Sequence, residues 1–88
     1  MKIKDGFVLK EVAGSFVAVP TGDNLVDFSA MITLNETGAF LWTKLASQDM
    51  ELEQLADALC AEYDVPRSDA LNDAAEFVEI LKNKKVLI

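Results

Sequence analysis

The hydrophobic pattern of the chain changes period once. Up to Leu34 the apolar residues fall in short runs bounded by Gly, Pro, Asp and Asn. After Leu34 they recur at intervals of three and four. Phe7-Val8-Leu9-Lys10-Glu11-Val12 and Ser15-Phe16-Val17-Ala18-Val19-Pro20 read as strands. Only Ala13-Gly14 separates them, which predicts a tight hairpin. Pro20 has no N–H to give a ladder and should end the second strand. Thr21-Gly22-Asp23-Asn24 is turn chemistry, and Leu25-Val26-Asp27-Phe28 reads as a short extended piece. Met31, Ile32, Thr33 and Leu34 form a third strand in this reading. Residues 28–34 do not alternate cleanly, so the pattern leaves the register there open.

Three helices follow, over residues 36–46, 51–63 and 67–84. In the second, Leu52, Leu55, Ala56, Leu59, Cys60 and Tyr63 lie on one helical face, with Asp57 and Glu62 off it. Asp64-Val65-Pro66 separates the second helix from the third, because a residue ahead of proline is pushed out of helical space. Asp49 is a candidate cap for the second helix. In the third, Leu71, Ala74, Ala75, Val78 and Leu81 define the expected buried stripe, with Ala70 and Phe77 on one flank. Beyond that flank come Asp73, Ile80 and Lys84. Ile80 is thus an apolar residue among acidic ones. Phe77 and Ile80 could form an apolar floor rimmed by Asp73 and Lys84. Val86-Leu87-Ile88 is an apolar tail suited to a short strand.

The change of period falls at Leu34-Asn35-Glu36-Thr37-Gly38-Ala39-Phe40-Leu41-Trp42. The Asn35 side chain can accept from an orphan N–H of the first helical turn. Leu34 and Ala39 occupy the positions of a weak hydrophobic staple. Gly38 inside that turn costs about 1 kcal/mol against alanine, so a packing reason is expected, the simplest being an element crossing close above it. Leu41, Trp42 and Leu45 read as core.

Charge narrows the function classes. The 88 residues hold 15 acidic and 8 basic side chains, a net charge of −7. From Asp49 to Glu79 ten residues are acidic and only Arg67 is basic. Such a surface repels phosphate, which makes nucleic acid an unfavourable partner, and attracts a basic peptide or patch. A hydrophobic share of 51% suits a folded core, and the length suits one domain over 1–88. Cys60 is the single cysteine, so an internal disulfide is impossible, and it reads as a small buried hydrophobe. There is no signal-like h-region or membrane-length apolar run, and the expected location is cytoplasmic. No histidine is present. That removes the commonest general base and most zinc sites. The four glycines form no phosphate loop. The expectation is a binding module with no enzyme activity, cofactor or metal.

The string Leu34-Asn35-Glu36-Thr37-Gly38 with Leu41-Trp42 resembles the signature of the PqqD family, the RiPP recognition elements. The resemblance continues through residues 52–65, at Asp73 with Phe77, and at Leu81. It implies an α+β, winged helix-turn-helix-like fold: a three-stranded antiparallel sheet followed by three helices. It also implies a function, which is to bind the leader segment of a ribosomally made precursor peptide and deliver it to a modifying enzyme, often a radical SAM enzyme. The leader would add to the third strand and lie between it and the third helix. Carried to this chain, the peptide-binding residues would be Met31, Ile32, Thr33 and Leu34 on the strand and Asp73, Phe77 and Ile80 on the helix, with Leu81 beneath. Asn35, Thr37, Gly38 and Trp42 would hold the corner. Ala74 departs from the family pattern, which favours a larger residue there, and so does Met50, where a capping Ser or Thr is frequent.

Two other readings compete. A winged-helix DNA regulator would need basic residues on its reading helix, yet helix two has none and helix three exposes Asp69, Asp73, Glu76 and Glu79. A general protein–protein adaptor would use the same groove on a segment of a larger protein. A free strand edge also leaves a homodimer open.

Overall fold

The computed structural model describes residues 1–21 and 31–88. The predicted turn at residues 21–24 falls outside these beyond Thr21, as does the extended piece at residues 25–28. Strands β1 (Phe7–Val12), β2 (Ser15–Pro20) and β3 (Ile32–Leu34) precede helices α1 (Glu36–Ser47), α2 (Leu52–Tyr63) and α3 (Arg67–Asn83). The sheet is antiparallel in the order β1-β2-β3, and the fold is α+β as expected.

The hairpin follows from its two central residues. Ala13 and Gly14 have φ of 52° and 83°, and both positive values suit the tight primed turns that match strand twist. Met31 stands just ahead of β3 rather than in it. Register pairs Glu11 with Phe16 and Phe16 with Leu34 in one row across the sheet. Ala18, Ile32 and Leu34 of the inward face are buried.

At the corner, Asn35 Oδ1 accepts from the Gly38 N–H at 2.8 Å and from the Thr37 hydroxyl at 3.0 Å. The packing reason for Gly38 is closer to home than an overlying element. A Cβ there would lie 3.0 Å from Asn35 Oδ1 and 3.3 Å from Leu34 Cδ2, so the cap itself crowds the position. Trp42 is buried and meets Phe7 of β1 edge-on, with centroids 5.9 Å apart, which ties α1 to the sheet.

Helix α2 begins one residue later than expected, with Glu51 as its N-cap. Gln54 Oε1 accepts from the Glu51 N–H at 2.8 Å, satisfying one group that the helix start would leave bare. Asp49 does not cap this helix; it binds the Met1 ammonium group. At the far end Asp64 takes the left-handed conformation, φ 52°, and stops the helix.

The buried stripe of α3 is rotated from the one the sequence predicts. Ala70, Ala74, Phe77, Val78 and Leu81 are buried; Leu71 is half-buried and Ala75 is exposed. Rotation brings Phe77 into the core and leaves Ile80 beside it at 46% exposure. Ala56 of α2 and Ala70 and Ala74 of α3 have no exposed surface, so a bulkier side chain at any of them would have to displace its neighbours.

The apolar tail does not form a full strand. It pairs with the first residues of the chain in an isolated antiparallel bridge, Ile3 to Leu87. Hydrogen bonds run from Lys2 N–H to Ile88 O at 3.2 Å, from Ile88 N–H to Lys2 O at 2.8 Å and from Lys4 N–H to Val86 O at 2.9 Å. Ile3 also donates to Leu45 O, which clamps this seam to α1.

Candidate functional site

Helix α3 presents Asp73, Glu76, Phe77 and Ile80 at the i, i+3, i+4, i+7 spacing of one helical face. Across from them stand Thr33 and Leu34 at the end of β3. The capped corner supplies Asn35, Thr37 and Gly38, and α1 supplies Leu41. Together these residues line a groove of about 210 Å³. Leu34, Leu41 and Phe77 are buried and make its floor apolar. Thr33, Asn35, Asp73, Glu76 and Ile80 are exposed and form its rim.

The corner determines where the groove lies. Because Asn35 closes the first turn, α1 leaves the sheet directly at Leu34, and the small Gly38 keeps the floor open. A side chain at position 38 would have to displace either the cap or Leu34.

Leu34 and Asn35 also line a second hollow, completed by Glu11, Gly14, Ser15, Phe16 and Glu36. Glu11, Phe16 and Leu34 are successive cross-strand partners, so they share one face of the sheet. The two hollows therefore meet at the corner. Among the described residues their combined lining carries four carboxylates, Glu11, Glu36, Asp73 and Glu76, and no lysine or arginine. The α1 N-terminus contributes a partial positive charge at the same corner, and Glu36 in its first turn offsets it.

The structure brings together Thr33, Leu34, Asp73, Phe77 and Ile80 among the predicted binding residues, and Asn35, Thr37 and Gly38 among the corner residues. It does not bring the others to the groove surface. Ile32 and Leu81 are buried, and Leu81 lies in the core cluster with Phe77. Met31 is exposed but outside the lining, and Trp42 is core. Lys84, expected at the rim, is not in the lining; its place as a charged rim residue is taken by Glu76. The spacing had the signal for Glu76, three residues after Asp73 and four before Ile80 on one face. Among the described residues no buried side-chain nitrogen or oxygen lacks a partner, and no three His, Cys, Asp or Glu side chains cluster to hold a metal ion. Nor is any described helix long and apolar enough to cross a membrane.

No curated protein matches the chain. Two solved structures are similar to it. TbiB1 in complex with the TbiA(beta) leader peptide aligns at a TM-score of 0.72 and 30% identity, over 99% of this chain and 94% of that one. Lasso peptide synthetase B1 complexed with the leader peptide aligns at a TM-score of 0.67 and 23% identity, over 93% and 89% of the two chains, a likeness of fold. The family model described as Coenzyme PQQ synthesis protein D (PqqD) matches residues 7–87, a span that takes in the sheet, the capped corner, all three helices and both hollows. The chain belongs to the PqqD family.

Proposed function

We propose that this protein captures the leader segment of a ribosomally made precursor peptide and presents it to a modifying enzyme. The observation that carries the reading is the groove between β3 and α3, with Ile80 exposed at its rim and Phe77 in its floor. Ile80 extends the apolar floor of the groove onto a rim that is otherwise polar and acidic. β3 pairs with β2 along one edge, and among the described residues no strand pairs along the other. An extended peptide adds there through main-chain hydrogen bonds, with its side chains reading the groove. Both similar structures are complexes with leader peptides.

In this reading the segment containing Met31, Ile32, Thr33 and Leu34 supplies the receiving edge. Asp73, Phe77 and Ile80 supply the facing wall, and Leu81 supports Phe77 from beneath. The protein holds and delivers, with no bond made or broken by its own side chains, and it works in the cytoplasm where precursor peptides are made. A radical SAM protein is the enzyme class expected as its recipient. The acidic lining disfavours nucleic acid as the occupant.

The test is an amide NMR titration with short peptides encoded beside this gene. Shifts concentrated at residues 31–34 and 73–80 are expected. Replacing Ile80 with glutamine should weaken binding about tenfold, the loss of one well-placed apolar anchor. No shifts with any neighbouring peptide, together with a stable complex with a larger protein, would replace this reading with that of a general adaptor.

A further inference from the structure

The groove described above is only half of a longer acidic trough. The α3-side groove is rimmed by Asp73 and Glu76, one helical turn apart on α3. The sheet-side hollow is rimmed by Glu11 at the end of β1 and Glu36 at the start of α1. Leu34 and Asn35 belong to both linings, so a segment paired along the free edge of β3 and continuing past the end of that strand at Leu34 would pass from one pair of carboxylates to the other. The floor beneath stays apolar throughout, from Phe77 and Leu41 through Leu34 to Phe16. All four carboxylates are exposed, and no described lysine or arginine enters either lining.

We propose that this trough selects for charge, taking an extended segment whose apolar anchors alternate with lysine or arginine and rejecting acidic segments. The inference rests on the peptide-capture reading and adds the class of segment captured. An extended strand points alternate side chains to opposite faces. Apolar side chains directed onto Leu34, Leu41 and Phe77 would therefore leave their neighbours on the outward face, from which the long stem of a lysine or arginine folds back to the rim. A basic neighbour there meets a carboxylate on either wall. An acidic one meets like charge, which costs affinity and slows encounter.

Each exposed ion pair of this kind changes affinity by about 1.5- to 5-fold. The effect should shrink in high salt, because exposed charges are screened beyond about 10 Å at 0.1 M ionic strength.

The experiment is selection from a displayed library of random twelve-residue peptides on the full chain. Binders are retained only if they are lost on the Ile80→Gln variant, which removes the anchor without changing charge. Enrichment of Lys and Arg over Asp and Glu among these groove-dependent binders is expected. The enrichment should reverse on the Asp73→Lys/Glu76→Lys variant and diminish on Glu11→Lys/Glu36→Lys. It should persist on Glu53→Lys/Glu62→Lys, which makes the same change in net charge away from the trough. Groove-dependent binders with no charge bias would overturn the selectivity and leave peptide capture standing. A bias equally lost with Glu53→Lys/Glu62→Lys would also overturn it, assigning the preference to net charge. The absence of any groove-dependent binder would overturn both readings. The two trough variants lie on different elements, so misfolding of one leaves the other to decide.

Discussion

Helices α2 and α3 are built from similar material and end with different surfaces. Both are acidic and amphipathic, and both bury the centre of their apolar stripe. Leu55 and Leu59 of α2 and Leu81 of α3 are each exposed by no more than 1%. The outer side of α2 carries Glu53, Gln54, Asp57, Ala61 and Glu62, with no large apolar group exposed. The outer side of α3 carries Ile80 just beyond its carboxylates, in the groove that Phe77 and the end of β3 also line. Acidity alone therefore does not mark a site in this protein, since both helices have it. What distinguishes α3 is an exposed apolar side chain where a strand end, a helix start and a second helix converge.

The strongest way to break this comparison is to truncate the cores of the two helices in parallel. Leu59→Ala and Leu81→Ala should each cost about 2–5 kcal/mol in urea unfolding, because each removes a fully buried side chain. Ile80→Gln, next to Leu81 in sequence, should cost under about 1 kcal/mol and act on binding instead. A loss at Ile80 as large as that at Leu81 would mean that Ile80 is core, and the contrast between the helices would fall. The alanine-lined part of the core is the next test. Ala74→Leu should cost about 1–3 kcal/mol by overpacking, read as a lower urea midpoint.

The one ion pair between side chains of the two helices, among the described residues, joins Arg67 to Asp57 at 3.1 Å. The partners are 49% and 63% exposed, so a double-mutant cycle with Arg67→Ala and Asp57→Ala should give a coupling below about 1 kcal/mol. A larger value would make the pair a determinant of how α2 and α3 sit together. The smallest effect concerns Tyr63, the single tyrosine, which packs edge-on against Phe40 at 5.5 Å. Burial, then Glu36 and Glu62, holds its pKa above the ordinary 10.0. The folded state thus keeps its phenol proton to higher pH than the unfolded chain does. Stability from this group is complete below pH 10 and declines as pH rises through the unfolded value. Absorbance titration at alkaline pH should place the midpoint above 10.0, and Glu36→Gln should lower it. A midpoint at or below 10.0 would place Tyr63 in open solvent.

Much of this architecture was legible in the residues themselves. The hairpin was legible because two strand-like runs stand two residues apart. The corner was legible because Asn35 caps locally, within three residues. Helix α2 was legible because leucines mark its inner face. The stripe of α3 was harder to place, since Ala70, Ala74 and Ala75 differ little in chemistry. Only packing against the rest of the core decides which of them is buried. The crowding at Gly38 was missed because it comes from the cap already inferred, at 3.0 Å, and not from a distant element. The seam between Lys2, Ile3, Lys4 and the C-terminal tail had no periodic signal, because pairing over such separation leaves no local pattern. Of the candidate site, the α3 wall was readable from spacing. The contribution of Glu11 and Phe16 was not, since it depends on the cross-strand register.

That seam has a consequence for attachment. Lys2 and Ile88 exchange both of their main-chain hydrogen bonds, so the two ends of the described chain leave the domain side by side. None of the seam residues lines either hollow. A partner fused at one end and a partner fused at the other would emerge from the same spot, as from the neck of a loop. The domain is thus suited to be tethered, or inserted whole into a host chain, with its trough left uncovered. A short flexible linker at that spot would hold a bound peptide near the fused partner at millimolar effective concentration.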